Sequence, residues 1–259
     1  FPPGGSTDLT GRIIAEMLRD RLGQPVIIAN RPGAAGVTGA IHVSQQAADG
    51  YTLLWAPEFD TTTRVMMDGD KLNFSMDRLE MLGGGTSSPY FLIVKSDSPW
   101  KTLEDLLAYA RSNPGKLTYA SAGSGMINNV GVELFLTRLG IKALHVPHKG
   151  GAEALQAVLG GVTDVHLSSG GRIKGFLESG AIRALVTFAD ERARVAPFSG
   201  VPTAREKGIS LPDLSLFNFL AAPKGLPAAT ADKLKVAFRE GLRDRKHAEK
   251  LERVFHSSD

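Results

Sequence analysis

Apolar residues recur at helical spacing near the start of the chain. Leu9, Ile13 and Met17 form one stripe, with Ile14, Leu18 and Leu22 one step round, which predicts a first helix facing a core. Ahead of it, the prolines and glycines of Phe1-Pro2-Pro3-Gly4-Gly5 forbid a regular element, and Ser6, Thr7 or Asp8 can cap the helix. Short apolar runs then alternate with helical stripes. Strands are expected over 25–29, 51–55, 90–94, 117–121, 144–146, 165–167, 184–187 and 217–221. Helices are expected over 37–46, 103–110, 129–139, 152–159, 172–178 and 231–242; Thr102 caps the second and Asn113-Pro114-Gly115 ends it. This alternation predicts an α/β fold with largely parallel sheets and right-handed crossovers.

At 259 residues the chain has material for one large domain or two modest ones. Its 42% hydrophobic and 22% charged residues are those of an ordinary globular protein. A formal charge of +3, spread along the chain, offers no nucleic-acid surface. The densest basic run, Arg243-Asp244-Arg245-Lys246-His247, reads as the solvated face of a C-terminal helix. No stretch approaches the roughly 18–20 apolar residues of a membrane span. The absence of cysteine excludes disulfides, thiol catalysis and cysteine-ligated metals. No signal peptide is present and the chain begins inside a loop, so a mature or trimmed N-terminus is expected.

Ligands of open α/β sheets collect at the carboxyl ends of strands. The opening loop feeds a helix N-terminus, whose free N–H groups and dipole suit a small anion. A second loop, Tyr119-Ala120-Ser121-Ala122-Gly123-Ser124-Gly125, is of the same kind: hydroxyls, glycines and exposed N–H groups before a helix. Two such loops in separate halves suggest a cleft gripping a small acid from both sides. A third loop, Val146-Pro147-His148-Lys149-Gly150-Gly151, adds a cation. Lesser candidates are Glu58 in the loop 56–60, Ser87-Ser88-Pro89, and Ser168-Ser169-Gly170-Gly171. Phe1, Phe59, Tyr90 and Phe217 can supply an apolar wall or simply pack the core. Enzyme motifs fail. There is no P-loop, no complete G-x-G-x-x-G and no G-x-S-x-G, and the six histidines lack metal-ligand spacing. His166, between Val165 and Leu167, reads as a satisfied core or sheet histidine. Asp164, His166 and Ser168 share one strand face and so lack the geometry of a triad. Neither cofactor nor metal is expected.

Several stretches together carry a resemblance. They are Phe1-Pro2-Pro3-Gly4-Gly5-Ser6-Thr7-Asp8, Arg21-Leu22-Gly23-Gln24-Pro25-Val26, Asn30-Arg31-Pro32-Gly33-Ala34 and Ala48-Asp49-Gly50-Tyr51-Thr52-Leu53-Leu54. Asn113-Pro114-Gly115-Lys116-Leu117, Tyr119-Ala120-Ser121, Val146-Pro147-His148-Lys149-Gly150-Gly151, Val201-Pro202-Thr203 and Ala222-Pro223-Lys224-Gly225-Leu226-Pro227 complete the set. In order and spacing the chain resembles the Bug-type solute receptors of tripartite tricarboxylate transporters over essentially its whole length. The resemblance implies a two-lobed periplasmic-binding-protein (Venus flytrap, type II) α/β fold, each lobe a mostly parallel sheet flanked by helices. Lobe 1 is expected at 1–96 plus 222–259 and lobe 2 at 97–221, with hinges near 95–100 and 218–223.

The function implied is capture of a small organic carboxylate in the periplasm and delivery to the permease subunits of the transporter. The family's carboxylate grip maps onto Gly4, Gly5, Ser6, Thr7 and Asp8 in one lobe and onto Ser121, Gly123 and Gly125 in the other. The family also implies a strand ahead of the opening loop. Departures concern specificity: Met126 replaces a threonine, Asn129 a common histidine, His148 a tyrosine, and Ser168-Ser169 an Asp-Asn pair. Glu58 stands where a small hydroxyl residue is frequent; desolvated and unpaired, it would repel a second ligand carboxylate by several kcal/mol. Lys149 or Arg172 can cancel that effect by pairing with it. The runner-up reading is an α/β enzyme acting on a carboxylated or phosphorylated metabolite. A third is an accessory receptor that docks on a sensor protein.

Overall fold

The computed structural model describes residues 1–253, apart from the side chains of residues 69 and 70. The chain divides into two compact units, Phe1–Ser88 with Leu216–Asp259, and Pro89–Ser215. The first unit holds α1 (Ser6–Leu22), α2 (Val37–Ser44), β1 (Leu54–Pro57), α3 (Glu58–Asp68) and the first part of β2 (Leu79–Lys95). The second holds the rest of β2, then α4 (Leu103–Ser112), β3 (Thr118–Ser121), α5 (Ile127–Leu139) and β4 (Leu144–Pro147). It continues through α6 (Gly151–Leu159), β5 (Val165–Ser169), α7 (Gly170–Glu178) and β6 (Ile182–Thr187). The chain returns to the first unit along β7 (Ser215–Pro223), followed by α8 (Ala228–Arg243) and α9 (Arg245–Arg253). Both crossings between the units fall inside strands, one in β2 and one in β7.

In the first unit β1 pairs antiparallel with β7. The core joins Ile14, Met17 and Leu18 of α1 to Leu234, Phe238 and Leu242 of α8. Glycine makes this packing possible. A Cβ on Gly241 would lie 2.3 Å from Met17, so α1 and α8 meet there without one. On β2, the rings of Phe217 and Trp55 lie against Gly84 and Gly85, where a Cβ would come within 2.5 and 2.4 Å. The Trp55 indole N–H donates to Thr10 Oγ1 at 3.2 Å and ties β1 to α1.

Two expectations change here. Residues 25–29 do not form a strand: they run without regular structure, with Ile27 87% exposed. A strand exists only by pairing, and residues 27–31 line one wall of a cavity of about 320 Å³ whose other wall is 51–56. The stretch 56–60, read as a loop, instead starts α3. Glu58 and Asp60 favour the helix N-terminus, while the run Thr61-Thr62-Thr63 hides the helical period.

In the second unit β3 runs parallel to both β4 and β5, whereas β2 runs antiparallel to β5 and β6. The sheet is therefore mixed rather than mostly parallel. In its parallel part, β3, β4 and β5 end on one edge, and α5, α6 and α7 begin there. The Thr102 cap is a full capping box with Asp105.

Candidate functional site

The opening loop turns at Gly4, whose φ of +78° suits glycine, and enters α1 with Gly5 as N-cap. Ser6, Thr7 and Asp8 were expected to cap; instead they are the first helical residues. Asp8 is buried and spends its carboxylate inward, accepting from Gly4 N–H (2.9 Å), Asn30 Nδ2 (2.9 Å), and Arg12 Nε (3.0 Å) and Nη2 (3.1 Å). Burial alone would raise this carboxyl, but the bonds from Arg12, Gly4 and Asn30 outweigh it and hold it below the usual carboxylate value. Asp8 thus shapes the loop, its carboxylate fully engaged within the protein. Phe1 is pinned likewise: its carbonyl accepts from Asn30 Nδ2 at 3.2 Å, and its ring lies against Gly36.

The remaining candidates of this unit are spread out. Glu58 is exposed in the first turn of α3, so the repulsion expected of a desolvated carboxylate does not apply. Ser87 is half-buried on β2, and the half-buried Phe217 lies across Gly84. Their neighbours are more telling. Asn218 is fully buried and donates to Thr86 Oγ1 at 3.0 Å, while its Oδ1 and the Ser88 hydroxyl have no partner among the described residues.

In the second unit Ser121 is fully buried at the end of β3. Its Oγ lies 2.6 Å from His145 Nε2 and accepts from Gly123 N–H at 3.1 Å. The His145 ring stacks on Tyr119 at 4.7 Å; burial lowers its pKa, partly offset by Glu133. The Tyr119 hydroxyl bonds Glu133 and accepts from Asn129 Nδ2 at 2.8 Å. Burial first, and Glu133 second, push that phenol upward. Asn129 Oδ1 takes Gly125 N–H (2.9 Å), and Asn128 Oδ1 takes Ala122 N–H (3.1 Å). The open cradle of N–H groups expected here is therefore largely closed by the protein's own side chains. Gly123 and Gly125 adopt φ of 128° and 80°, which this tight loop demands, and Met126 is the N-cap of α5. A serine beside a histidine suggests a nucleophile, but Ser121 is buried and engaged with Gly123, so the pair orders the loop.

His148 follows β4; its backbone N–H donates to the Ser121 carbonyl at 2.9 Å, while its buried Nε2 has no partner among the described residues. Lys149 is exposed, its backbone N–H donating to Glu153 at 3.2 Å. Ser168 is buried, and its hydroxyl has no partner among the described residues. His166 is not the satisfied histidine expected: Nδ1 bonds the Ala120 carbonyl at 2.9 Å, but Nε2 has no partner among the described residues. Sequence reasoning passed over His145 and Asn218 and took His166 for a satisfied core histidine. The available signal was a polar residue set inside an apolar strand run, as in Val165-His166-Leu167 and Phe217-Asn218-Phe219. Elsewhere, Glu16, Asp20 and His247 lie close enough to hold a cation, but Lys246, Lys250 and Arg19 already neutralise the carboxylates.

The family model described as tripartite tricarboxylate transporter family receptor matches residues 10–255. The UPF0065 protein in the gbd 5' region of Cupriavidus necator is 37% identical over 250 residues, covering 93% of this chain and 72% of that protein. The solved periplasmic binding protein BugD aligns with a TM-score of 0.87 at 27% identity, over 100% of this chain and 85% of its own. MatC from Rhodopseudomonas palustris, solved with bound malate, aligns with a TM-score of 0.83 at 29% identity, over 99% of this chain and 87% of its own.

Proposed function

Because the chain belongs to the tripartite tricarboxylate transporter receptor family, we propose that it captures a small organic carboxylate in the periplasm and delivers it to the membrane subunits of a transporter. The observation that carries this reading is the shared edge of the second unit. There α5, α6 and α7 begin where β3, β4 and β5 end, so three helix N-termini favour negative charge over one set of short loops, with α6 and α7 leading because side chains already take the N–H groups before α5. The loop before α1 repeats the device in the first unit, with its own carboxylate neutralised by Arg12. A relative of similar fold was solved with malate, an acid of the size such loops suit. No nucleophile is presented by these loops, which favours a receptor over a catalyst.

Thermal shift against mono-, di- and tricarboxylates, amino acids, aromatic acids and phosphates tests the reading. A ligand at one hundred times its Kd adds about 2.7 kcal/mol, or about 5–10 °C for a chain of this size. A sharp response to one or a few carboxylates is expected. A response confined to phosphates would replace the receptor with the metabolite enzyme.

A further inference from the structure

Three buried polar atoms in the second unit have no partner among the described residues: His166 Nε2, the Ser168 hydroxyl and His148 Nε2. Their placement follows from the sheet. His166 is paired in register with Ala120, whose face packs on Ala154, Ala157 and Val158 of α6. Leu167 points the other way, against Gly131 of α5, so His166 and Ser168 share the α6 face of β5. The backbone of His148 meets Ser121, the residue after Ala120. The Arg172 guanidinium, from the first turn of α7, lies against Gly151 at the start of α6 and brings the two helix ends together over this face.

The tautomer of His166 follows from its one bond. A carbonyl only accepts, so Nδ1 carries the proton toward Ala120, and Nε2 of the neutral ring is a bare acceptor. Burial lowers the ring's pKa to about 4, the Ala120 bond opposing and Arg172 and His148 adding to the shift, so it is neutral at neutral pH. Native proteins keep few such orphaned atoms, and three together call for a partner that both donates and accepts. A carboxylate only accepts and would set its lone pairs against that of Nε2. An ammonium group is disfavoured by Arg172 and by the positive ends of α6 and α7.

We propose that this cluster is the subsite for a hydroxyl group of the ligand, which donates to His166 Nε2 and accepts from Ser168, so that the protein selects hydroxycarboxylic acids over their deoxy analogues. The inference rests on the receptor reading and deepens it. His166 becomes the specificity-determining residue of the second unit, although its neighbours in sequence give it the look of a core side chain.

Calorimetric titration of the full chain with matched pairs tests this: malate against succinate, lactate against propionate, citrate against tricarballylate. The hydroxy acid of the pair that binds is expected to bind at least about tenfold more tightly, since a buried acceptor left unpaired penalises the analogue. His166→Asn keeps an N–H for Ala120 but has no atom at the Nε2 position, and the preference should fall to about unity with the deoxy acid unaffected. His166→Gln places an oxygen near that position and should retain the preference. Ser168→Ala should also reduce it, and serves if the His166 variants fold poorly. Equal affinity for both members of a pair, or a preference surviving in His166→Asn, overturns the inference: a fixed water then fills the subsite, and the receptor reading stands. Binding of phosphates and of no carboxylate would remove the receptor reading, and this inference with it.

Discussion

The loop of residues 4–8 and the loop of residues 121–126 do one geometric job with two chemistries. Each turns on positive-φ glycine and feeds a helix N-terminus. The first is held by a charge: Asp8 gathers Gly4, Asn30 and Arg12 around a buried carboxylate. The second is held by neutral groups: Asn128, Asn129 and the Ser121 hydroxyl take the N–H groups of Ala122, Gly125 and Gly123. A carboxylate inside the proposed anion site would oppose its purpose unless neutralised, and Arg12 neutralises it. The gain is rigidity, and the consequence is that the first loop depends on a few strong bonds and the second on several weaker ones.

The largest consequence follows from removing the charge. Asp8→Ala leaves Gly4 N–H without its acceptor, takes one of the two acceptors of Asn30 Nδ2 and frees Arg12, and should cost about 3–4 kcal/mol in urea unfolding. Asp8→Asn keeps the shape and should recover part of that loss. If Asp8→Ala costs no more than any substitution in the second loop, the contrast between charged and neutral pinning fails.

Acid separates the two units next. His166 has a folded pKa of about 4 against an ordinary value of 6.5, so between those values the unfolded chain holds a proton that the folded chain lacks. Stability is then unaffected above pH 6.5 and falls by about 3 kcal/mol as pH drops to 4. Asp8 behaves differently. Its folded pKa lies below the ordinary one, so its stabilisation is present above the ordinary value and is lost only as pH falls through the lower one. Hydrogen exchange followed from pH 7 to 4 should show β5 and α6 loosening before α1. His166→Gln should remove the early part of that loss, and an unchanged profile in the variant would assign it elsewhere.

Binding gives a smaller effect. Ser121→Ala removes the hydroxyl that joins His145 to Gly123, and carboxylate affinity should fall by about 1–2 kcal/mol in calorimetry. Affinity within a factor of two of the parent would show that the loop holds its shape without the hydroxyl.

Much of this architecture was legible in the residues, and the parts that were not share a cause. Stripes such as Leu103, Leu106 and Ala110 predicted helices correctly because a helix closes its own hydrogen bonds and needs only one buried face. The stretch Pro25-Val26-Ile27-Ile28-Ala29 looked equally sure as a strand, yet a strand is made by its neighbour, and residues 25–29 have no ladder. Both loops were found from glycines and hydroxyls before helical stripes. Their filling was not, because nothing local says that Asn129 will reach back to Gly125 or that His145 will meet Ser121 across two strands. His166 was misjudged for the same reason: alternation shows which face a residue takes, not whether both its ring nitrogens find partners.

The gentlest test of the contrast is Asn129→Ala. Asn129 Oδ1 accepts from Gly125 N–H and its Nδ2 donates to the Tyr119 hydroxyl, so one side chain links the loop to the strand before it. Both bonds are between neutral groups, and Asn129 is half-buried, so water can satisfy Gly125 once the amide is gone. The expected loss is about 1 kcal/mol of stability. The effect on affinity has a definite sign: freeing Gly125 N–H restores a donor to the mouth of α5. Weak carboxylates should therefore bind Asn129→Ala as well as the parent or slightly better, although the protein melts earlier. A parallel loss of affinity and stability would mean that loop order outweighs the freed donor, and that the neutral loop is as dependent on its pins as the charged one.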